Sequence, residues 1–331
     1  MNYLLTTGLD LKTKKFTVTQ FNLISKIENS ITLNTEAHDL IQNPHQKNIC
    51  VALGRRPPIH FSYILDLSTN QIINRFAAIP EHAFYGHGVW LENNVIATAE
   101  IHLQTKQSCI VFRDGSHPDK ILDVIATSGL MIHSMLYDKQ HDSFFIAHNG
   151  LWESFNKTHQ SNLSILSLRN KQVEIINFPT PNNIGLQHLH RIDNWLYCLF
   201  RLGPENPPGK CWNFSPLFKV NLITNEVKEV SLGSTQETIE FGYDGLSINS
   251  TNDLIGMTSQ RSHQVYFINV NSNDLIQKKV YALASGITPF NDSFIISSAS
   301  GKLIEYDPYN DKAIVLSENF YASSHHQHIR Y

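Results

Sequence analysis

Residues 86–100, GHGVWLENNVIATAE, decide the fold: a glycine-flanked histidine opens one apolar strand, Leu91-Glu92-Asn93-Asn94 turns the chain, and a second apolar strand follows. The same plan recurs on both sides. It is seen at 37–54 (AHDLIQNPHQKNICVALG), 132–150 (IHSMLYDKQHDSFFIAHNG) and 187–201 (QHLHRIDNWLYCLFR), then at 242–259 (GYDGLSINSTNDLIGMTS) and 284–301 (ASGITPFNDSFIISSASG). The starts fall at 38, 87, 133, 188, 243 and 285, a period of roughly 40 to 55 residues, which is the length of a four-stranded propeller blade. A further hairpin follows each pair, as in Phe61–Asp66 running into Leu67-Ser68-Thr69-Asn70, or Leu303–Asp307 near the end of the chain. No long amphipathic pattern interrupts them.

Six repeats leave both ends over. The first 36 residues offer strands over 3–8, 15–21 and 24–33, and residues 328–331 offer one short strand opening with His328. Together they predict a seventh blade with its inner strand from the C-terminus and its outer three from the N-terminus. Closing the ring this way removes exposed sheet edges. The expectation is an all-β, seven-bladed β-propeller occupying residues 1–331 as a single domain.

Bulk properties fit such a fold. The chain has 331 residues, 17% of them charged, and a formal net charge of -3, with no basic surplus for a nucleic-acid partner. No apolar run reaches the length of a membrane-spanning helix. Met1–Asp10 lacks the features of a secretory leader and by itself reads as cytoplasmic. Four cysteines form no CxxC; three sit in apolar runs, and Cys198 and Cys211 could face one another on neighbouring strands.

Aligned on the repeat, His38, His87, His133, His188 (or His190) and His328 stand at or beside the start of the innermost strand, with Tyr243 and Ser285 completing the ring. Only 17 of 331 residues are histidine, so five at equivalent positions is not chance. The second strand of each repeat returns to the same face, where its end carries Arg55 and Arg56, Glu100, His148 and Asn149, Arg201, and Arg261. Neutral imidazole is the commonest ligand of zinc, copper, iron and nickel, and a carboxylate such as Glu100 suits iron or zinc. The arginines could hold an oxyanion beside the metal. The expected occupant is therefore a transition metal ion (iron, copper or zinc) or a small anionic or chelate ligand. Histidines that only staple blades together, in an interaction scaffold, are the alternative, as is an enzyme acting on a small anion. The chain has no GxSxG, P-loop, GxGxxG or HExxH signature, so the reading leans to a non-catalytic protein. The terminal His325 and His326 read as solvated loop residues, and 202–210 as a turn-rich excursion.

Phe84-Tyr85-Gly86-His87-Gly88-Val89 followed by Ala97-Thr98-Ala99-Glu100 resembles the hallmark of a bacterial family catalogued as domain of unknown function 1513, FYGHGVF followed by a TTEN-like strand end. Ala52–Pro57 is similar to its ARRP segment, Ile132-His133 to GPHDL, and His148-Asn149-Gly150 to ANGG. Gly242-Tyr243 with Thr258–Arg261 is similar to GY…TSPRG, and Gln327-His328 to a terminal DNH. The resemblance covers essentially the whole chain. It implies a seven-bladed propeller, usually exported to the periplasm, encoded beside imelysin-like and dihaem-peroxidase-like iron-uptake genes. By that resemblance the role would be in iron acquisition or handling, with another iron-uptake protein as a partner. The chain departs from the family in Ala99–His102 and in His148, which replaces a small residue and adds a candidate ligand.

Overall fold

The computed structural model describes residues 3–10, 13–55, 57–150, 161–180, 184–202, 215–231, 245–249, 251, 253–260 and 262–318. They form a seven-bladed β-propeller. The six repeats each fold into a four-stranded antiparallel sheet. The first blade is β4 (Ala37–Gln42), β5 (Ile49–Gly54), β6 (Phe61–Asp66) and β7 (Gln71–Ala77). The second is β8 (His82–Trp90), β9 (Val95–His102), β10 (Gln107–Asp114) and β11 (Ile121–Leu130). The third is β12 (Ile132–Asp138), β13 (Ser143–His148), β14 (Asn162–Ser167) and β15 (Val173–Asn177); the fourth is β16 (Ile184–Ile192), β17 (Trp195–Leu202), β18 (Leu217–Asn221) and β19 (Val227–Glu229). The fifth is β20 (Gly245–Asn249), β21 (Leu254–Ser259), β22 (Gln264–Asn269) and β23 (Leu275–Val280). The sixth is β24 (Ala284–Phe290), β25 (Ser293–Ser298), β26 (Leu303–Asp307) and β27 (Lys312–Ser317). The seventh contributes β1 (Tyr3–Asp10), β2 (Lys15–Asn22) and β3 (Glu28–Leu33), and the C-terminal strand expected to complete it lies outside the described residues.

β3 begins at Glu28, later than the strand the sequence suggests from residue 24. The Asn22 side chain accepts the backbone N–H groups of Ile24 and Ser25 at 2.9 Å each, and Lys26 takes a left-handed φ of 59°. That Asx turn leaves Ile24 and Ile27 in solvent. Tight turns elsewhere use the same chemistry, with Asn70, Asn94, Asp142, Asn225 and Asn291 all at positive φ.

The core lies between blades rather than within one. Alternate side chains of a strand point to opposite faces of its sheet, so each central strand serves two joints. Phe144 and Ile146 of β13 meet Ala97, Ala99 and Ile110 of the second blade, whereas Phe145 and Ala147 meet Leu186, Leu196 and Cys198 of the fourth. Every joint has such a cluster. The first and second blades share Val51, Leu53, Phe84 and Ile96; the fourth and fifth share Tyr197, Leu199, Ile255 and Met257; the fifth and sixth share Val265, Phe267, Phe294 and Ile296. Leu5, Val18 and Ile31 of the seventh blade pack on Leu40, Cys50 and Tyr63 of the first. On its other side, Leu4 and Phe21 pack on Ile295 and Leu303 of the sixth. That last joint brings the first described strands against the last, and the Ser317 hydroxyl lies 3.0 Å from the Glu28 carboxylate across it. Among the described residues there is no helix long and apolar enough to cross a membrane.

Candidate functional site

The innermost strands pack side by side around the axis. They share one irregularity, a β-bulge, in five of the six repeats, at the start of β4, β12 and β24 and in the middle of β8 and β16. Ala37 pairs with Gly54 and Asp39 with Leu53, so His38 is the extra residue of β4. Ile132 pairs with His148 and Ser134 with Ala147, which makes His133 the extra residue of β12. The same shift falls at Gln187 in β16 and at Ser285 in β24. In β8 it is larger: Phe84 pairs with Glu100 and Gly88 with Thr98, so Tyr85, Gly86 and His87 stand against Ala99 alone. A bulge re-aims side chains that a regular strand would send to a sheet face. Here it places polar residues at one end of the channel.

Four imidazoles meet there. His38 lies 4.8 Å from His87 between ring centroids, with planes at 83°, and 6.2 Å from His133. His87 lies 5.4 Å from His133, and His133 lies 5.1 Å from His188 with planes at 81°. None is more than 6% exposed. Of the two alternatives offered by the fourth repeat, His188 makes this contact; His190 is half-buried opposite Tyr197. Gly86 makes the approach feasible. Its φ of +92° favours glycine, and a Cβ there would stand 2.6 Å from Cδ2 of His38.

Neighbouring blades hold two of these rings through Nδ1. Oδ2 of Asp39 lies 3.4 Å from Nδ1 of His87, and the Gln187 carbonyl lies 3.2 Å from Nδ1 of His133. Two other buried oxygens at bulge positions, Oε1 of Gln187 and Oγ of Ser285, have no hydrogen-bond partner. Buried polar atoms of this kind cost free energy unless a ligand or water completes them.

Other residues singled out in the sequence have different surroundings. Both oxygens of Glu100 are occupied: Oε1 accepts from Arg113 at 2.5 Å and from Thr98 at 3.0 Å, and Oε2 accepts the Ile79 N–H at 2.9 Å. Arg55 pairs with Glu36 at a half-buried position. His148 is completely buried, facing Gly129 of the second blade, and neither ring nitrogen has a hydrogen-bond partner. Burial holds its pKa down at about 3, so it is a neutral ring. Asn149 turns its Oδ1 to Gly185 of the fourth blade, and Arg201 pairs with that glycine across the sheet. Arg56, Tyr243, Arg261 and His328 lie outside the described residues, as do His325, His326 and Cys211. Cys198 carries a free thiol. Burial raises the thiols of Cys50 and Cys109 to about 12 and that of Cys198 as well, so among the described residues no thiolate competes for a cation.

Two residues of the site escaped the sequence reading. Asp39 was overlooked because strict alternation would turn it away from the side His38 faces, and Arg113 because it sits within an outer apolar strand. A basic residue in the run SCIVFRD, on the strand next to that of Glu100, was the available signal for the second.

What the cluster can do follows from its donors. Metal–nitrogen distances of about 2.0–2.1 Å put the centroids of two imidazoles sharing an ion roughly 4.5 to 6.5 Å apart, and the four separations here fall within that span. The ring planes, however, meet mostly edge to face. As the side chains stand, no three His, Cys, Asp or Glu among the described residues are arranged to hold an ion.

The sequence model described as "Protein of unknown function (DUF1513)" matches residues 31–329. The chain belongs to the DUF1513 family. That match carries the family resemblance of residues 84–100 across nearly the whole ring. No protein of curated function matches this DUF1513 member. Among solved structures it is similar to hydrazine synthase from Kuenenia stuttgartiensis, at 8% identity with a TM-score of 0.62, over 90% of this chain and 88% of that one. It is also similar to the β-propeller domain of Myceliophteria thermophila Cps50 (Swd1), at 10% identity with a TM-score of 0.60, over 95% of this chain and 93% of that one. At such identities the likeness concerns the fold alone.

Proposed function

We propose that this DUF1513 propeller is a non-catalytic transition-metal-binding protein, in which His38, His87, His133 and His188 hold one ion at the mouth of the channel. The supporting observation is the convergence of buried imidazoles from four successive blades: His38, His87 and His133 lie 4.8–6.2 Å from one another between ring centroids, and His188 lies 5.1 Å from His133. With His87 and His133 kept on their Nδ1 acceptors, His38 and His188 would rotate about χ2 to turn a nitrogen toward the ion. An all-imidazole set without thiolate suits zinc, copper(II), iron or nickel over softer ions. The resemblance to a family encoded beside iron-uptake genes makes iron acquisition or handling the physiological role to test first. Glu100 is left out of the ligand set because its oxygens already have partners.

Metal content measured by mass spectrometry, on protein purified without a nickel column after growth with iron, copper or zinc, tests the proposal. The expected result is close to one ion per chain in the wild type and a large loss in His87→Ala and His133→Ala. A second reading rests on the edge-to-face packing: the rings staple blades in a scaffold that docks another protein. Content near zero under every supplement, unchanged by both substitutions, would select it.

A further inference from the structure

The bulge in β4 carries two consecutive polar residues, and the second has its own task. Asp39 is 2% exposed, and its two oxygens face different blades. Oδ1 accepts the N–H of Leu40 at 2.8 Å, within the first blade. Oδ2 faces Nδ1 of His87, in the second. A carboxylate oxygen accepts, so Nδ1 of His87 is the donor and Nε2 is the nitrogen that can serve a cation. The carbonyl of Gln187, also only an acceptor, imposes the same tautomer on His133. The two devices differ in charge. The carbonyl is neutral, whereas Asp39 adds a negative charge behind the ring, making it a better donor and offsetting part of the charge of a cation.

We infer that Asp39 is the positioning residue of the site: it fixes His87 as an Nε2 donor and biases the four-histidine cluster toward divalent over monovalent cations. The inference rests on the metal-binding reading given above and deepens it. Asp39 touches the ligand, not the ion. Its effect is therefore felt in affinity, in the pH of release and in the preference between Cu²⁺ and Cu⁺.

The test uses the full chain and three probes, Zn²⁺, Cu²⁺ and Cu⁺, each titrated in competition with a chromophoric chelator between about pH 5.5 and pH 8. In Asp39→Asn, which keeps the shape and loses the charge, affinity for Zn²⁺ and Cu²⁺ should fall about 10- to 100-fold. Cu⁺ should be affected less, and the pH at which half the Zn²⁺ is released should rise. In a His87→Gln background the same substitution should have no further effect, since Asp39 acts through that ring. Unchanged Zn²⁺ affinity and release pH in Asp39→Asn would overturn the inference, as would an equal loss in the His87→Gln background. Long-range ¹⁵N–¹H correlation on the metal-free wild type needs no variant: His87 and His133 should be protonated at Nδ1, and an Nε2–H tautomer at His87 would also overturn it. A wild type that takes up none of the three ions would instead refute the metal-binding reading, leaving the tautomer measurement to judge Asp39 alone.

Discussion

Arg113 reaches across β10 and β9 to place its Nη2 2.5 Å from Oε1 of Glu100, with 1% and 0% of the two side chains exposed. The guanidinium also donates to the Pro118 carbonyl and to the Thr98 hydroxyl, and it lies 5.2 Å and 5.5 Å from the rings of Phe76 and Phe84. The pair lies within the second blade and reaches the first through the Phe76 ring and the Ile79 N–H, which Glu100 accepts. Removing one partner strands the other charge in a dry environment, a loss of about 3–5 kcal/mol. Arg113→Met should lower the stability measured by urea denaturation by that amount. The double variant Glu100→Leu with Arg113→Met should recover most of it.

The same pair separates structure from ligation. Because Glu100 has a full set of protein partners, Glu100→Gln should destabilise the chain yet leave its bound metal per folded molecule within about twofold of wild type. Metal analysis on the folded fraction, isolated by size exclusion, checks this. A loss as large as that of His87→Ala would return Glu100 to the ligand set.

His148 should give the protein an acid-sensitive stability. Its folded pKa of about 3 lies below the ordinary 6.5, so between these values the unfolded chain binds a proton that the folded chain refuses. Stability is therefore lost as pH falls below about 6.5, by about 2 kcal/mol at pH 5 from this residue alone. His148→Leu removes two unsatisfied buried nitrogens. It should be neutral or stabilising at pH 7 and should flatten the loss between pH 7 and pH 5, as read from urea midpoints.

Gly129 and His148 fit together tightly enough to be tested as a pair. A Cβ on Gly129 would lie 2.2 Å from Cγ of His148, at the root of the ring where no rotation relieves it. Gly129→Ala should cost about 1–3 kcal/mol by overpacking. In a His148→Ala background the same substitution should cost less, with a coupling of at least about 0.5 kcal/mol in a double-mutant cycle.

Gly86→Ala should act on the site itself. The new methyl group meets Cβ of His38 at 2.9 Å, at a backbone φ of +92° that alanine resists. His38 must move away from His87. We expect at least a tenfold loss of Zn²⁺ affinity, measured by chelator competition, and a lower melting temperature.

Much of this was legible in the chain as written. Apolar strands and the turn between them are local properties that Gly86–Glu100 displays within 15 residues, and the period of roughly 40 to 55 residues is read by comparing such stretches along the chain. Placing His38, His87, His133 and either His188 or His190 on inner strands needed only the repeat. His38 and His133 stand second in theirs, whereas His87 and His188 stand in mid-strand because β8 and β16 begin earlier than the pattern suggests. The start of β3 was misjudged because the Asn22 turn consumes apolar Ile24, a side chain that alternation alone would assign to a strand.

The sequence by itself determined the seven-bladed ring and put a histidine on the inner strand of four blades, because each follows from a pattern repeated along the chain. The C-terminal strand expected to close the ring lies outside the described residues. Only the tertiary structure decided that His87 faces Asp39, that Glu100 is taken by Arg113 and that His148 is sealed between blades. Each of those partnerships joins residues distant in sequence or turns on a bulge that breaks the two-residue alternation. A polar side chain takes its partner from whatever the packing brings within about 3 Å, and no periodicity records that choice.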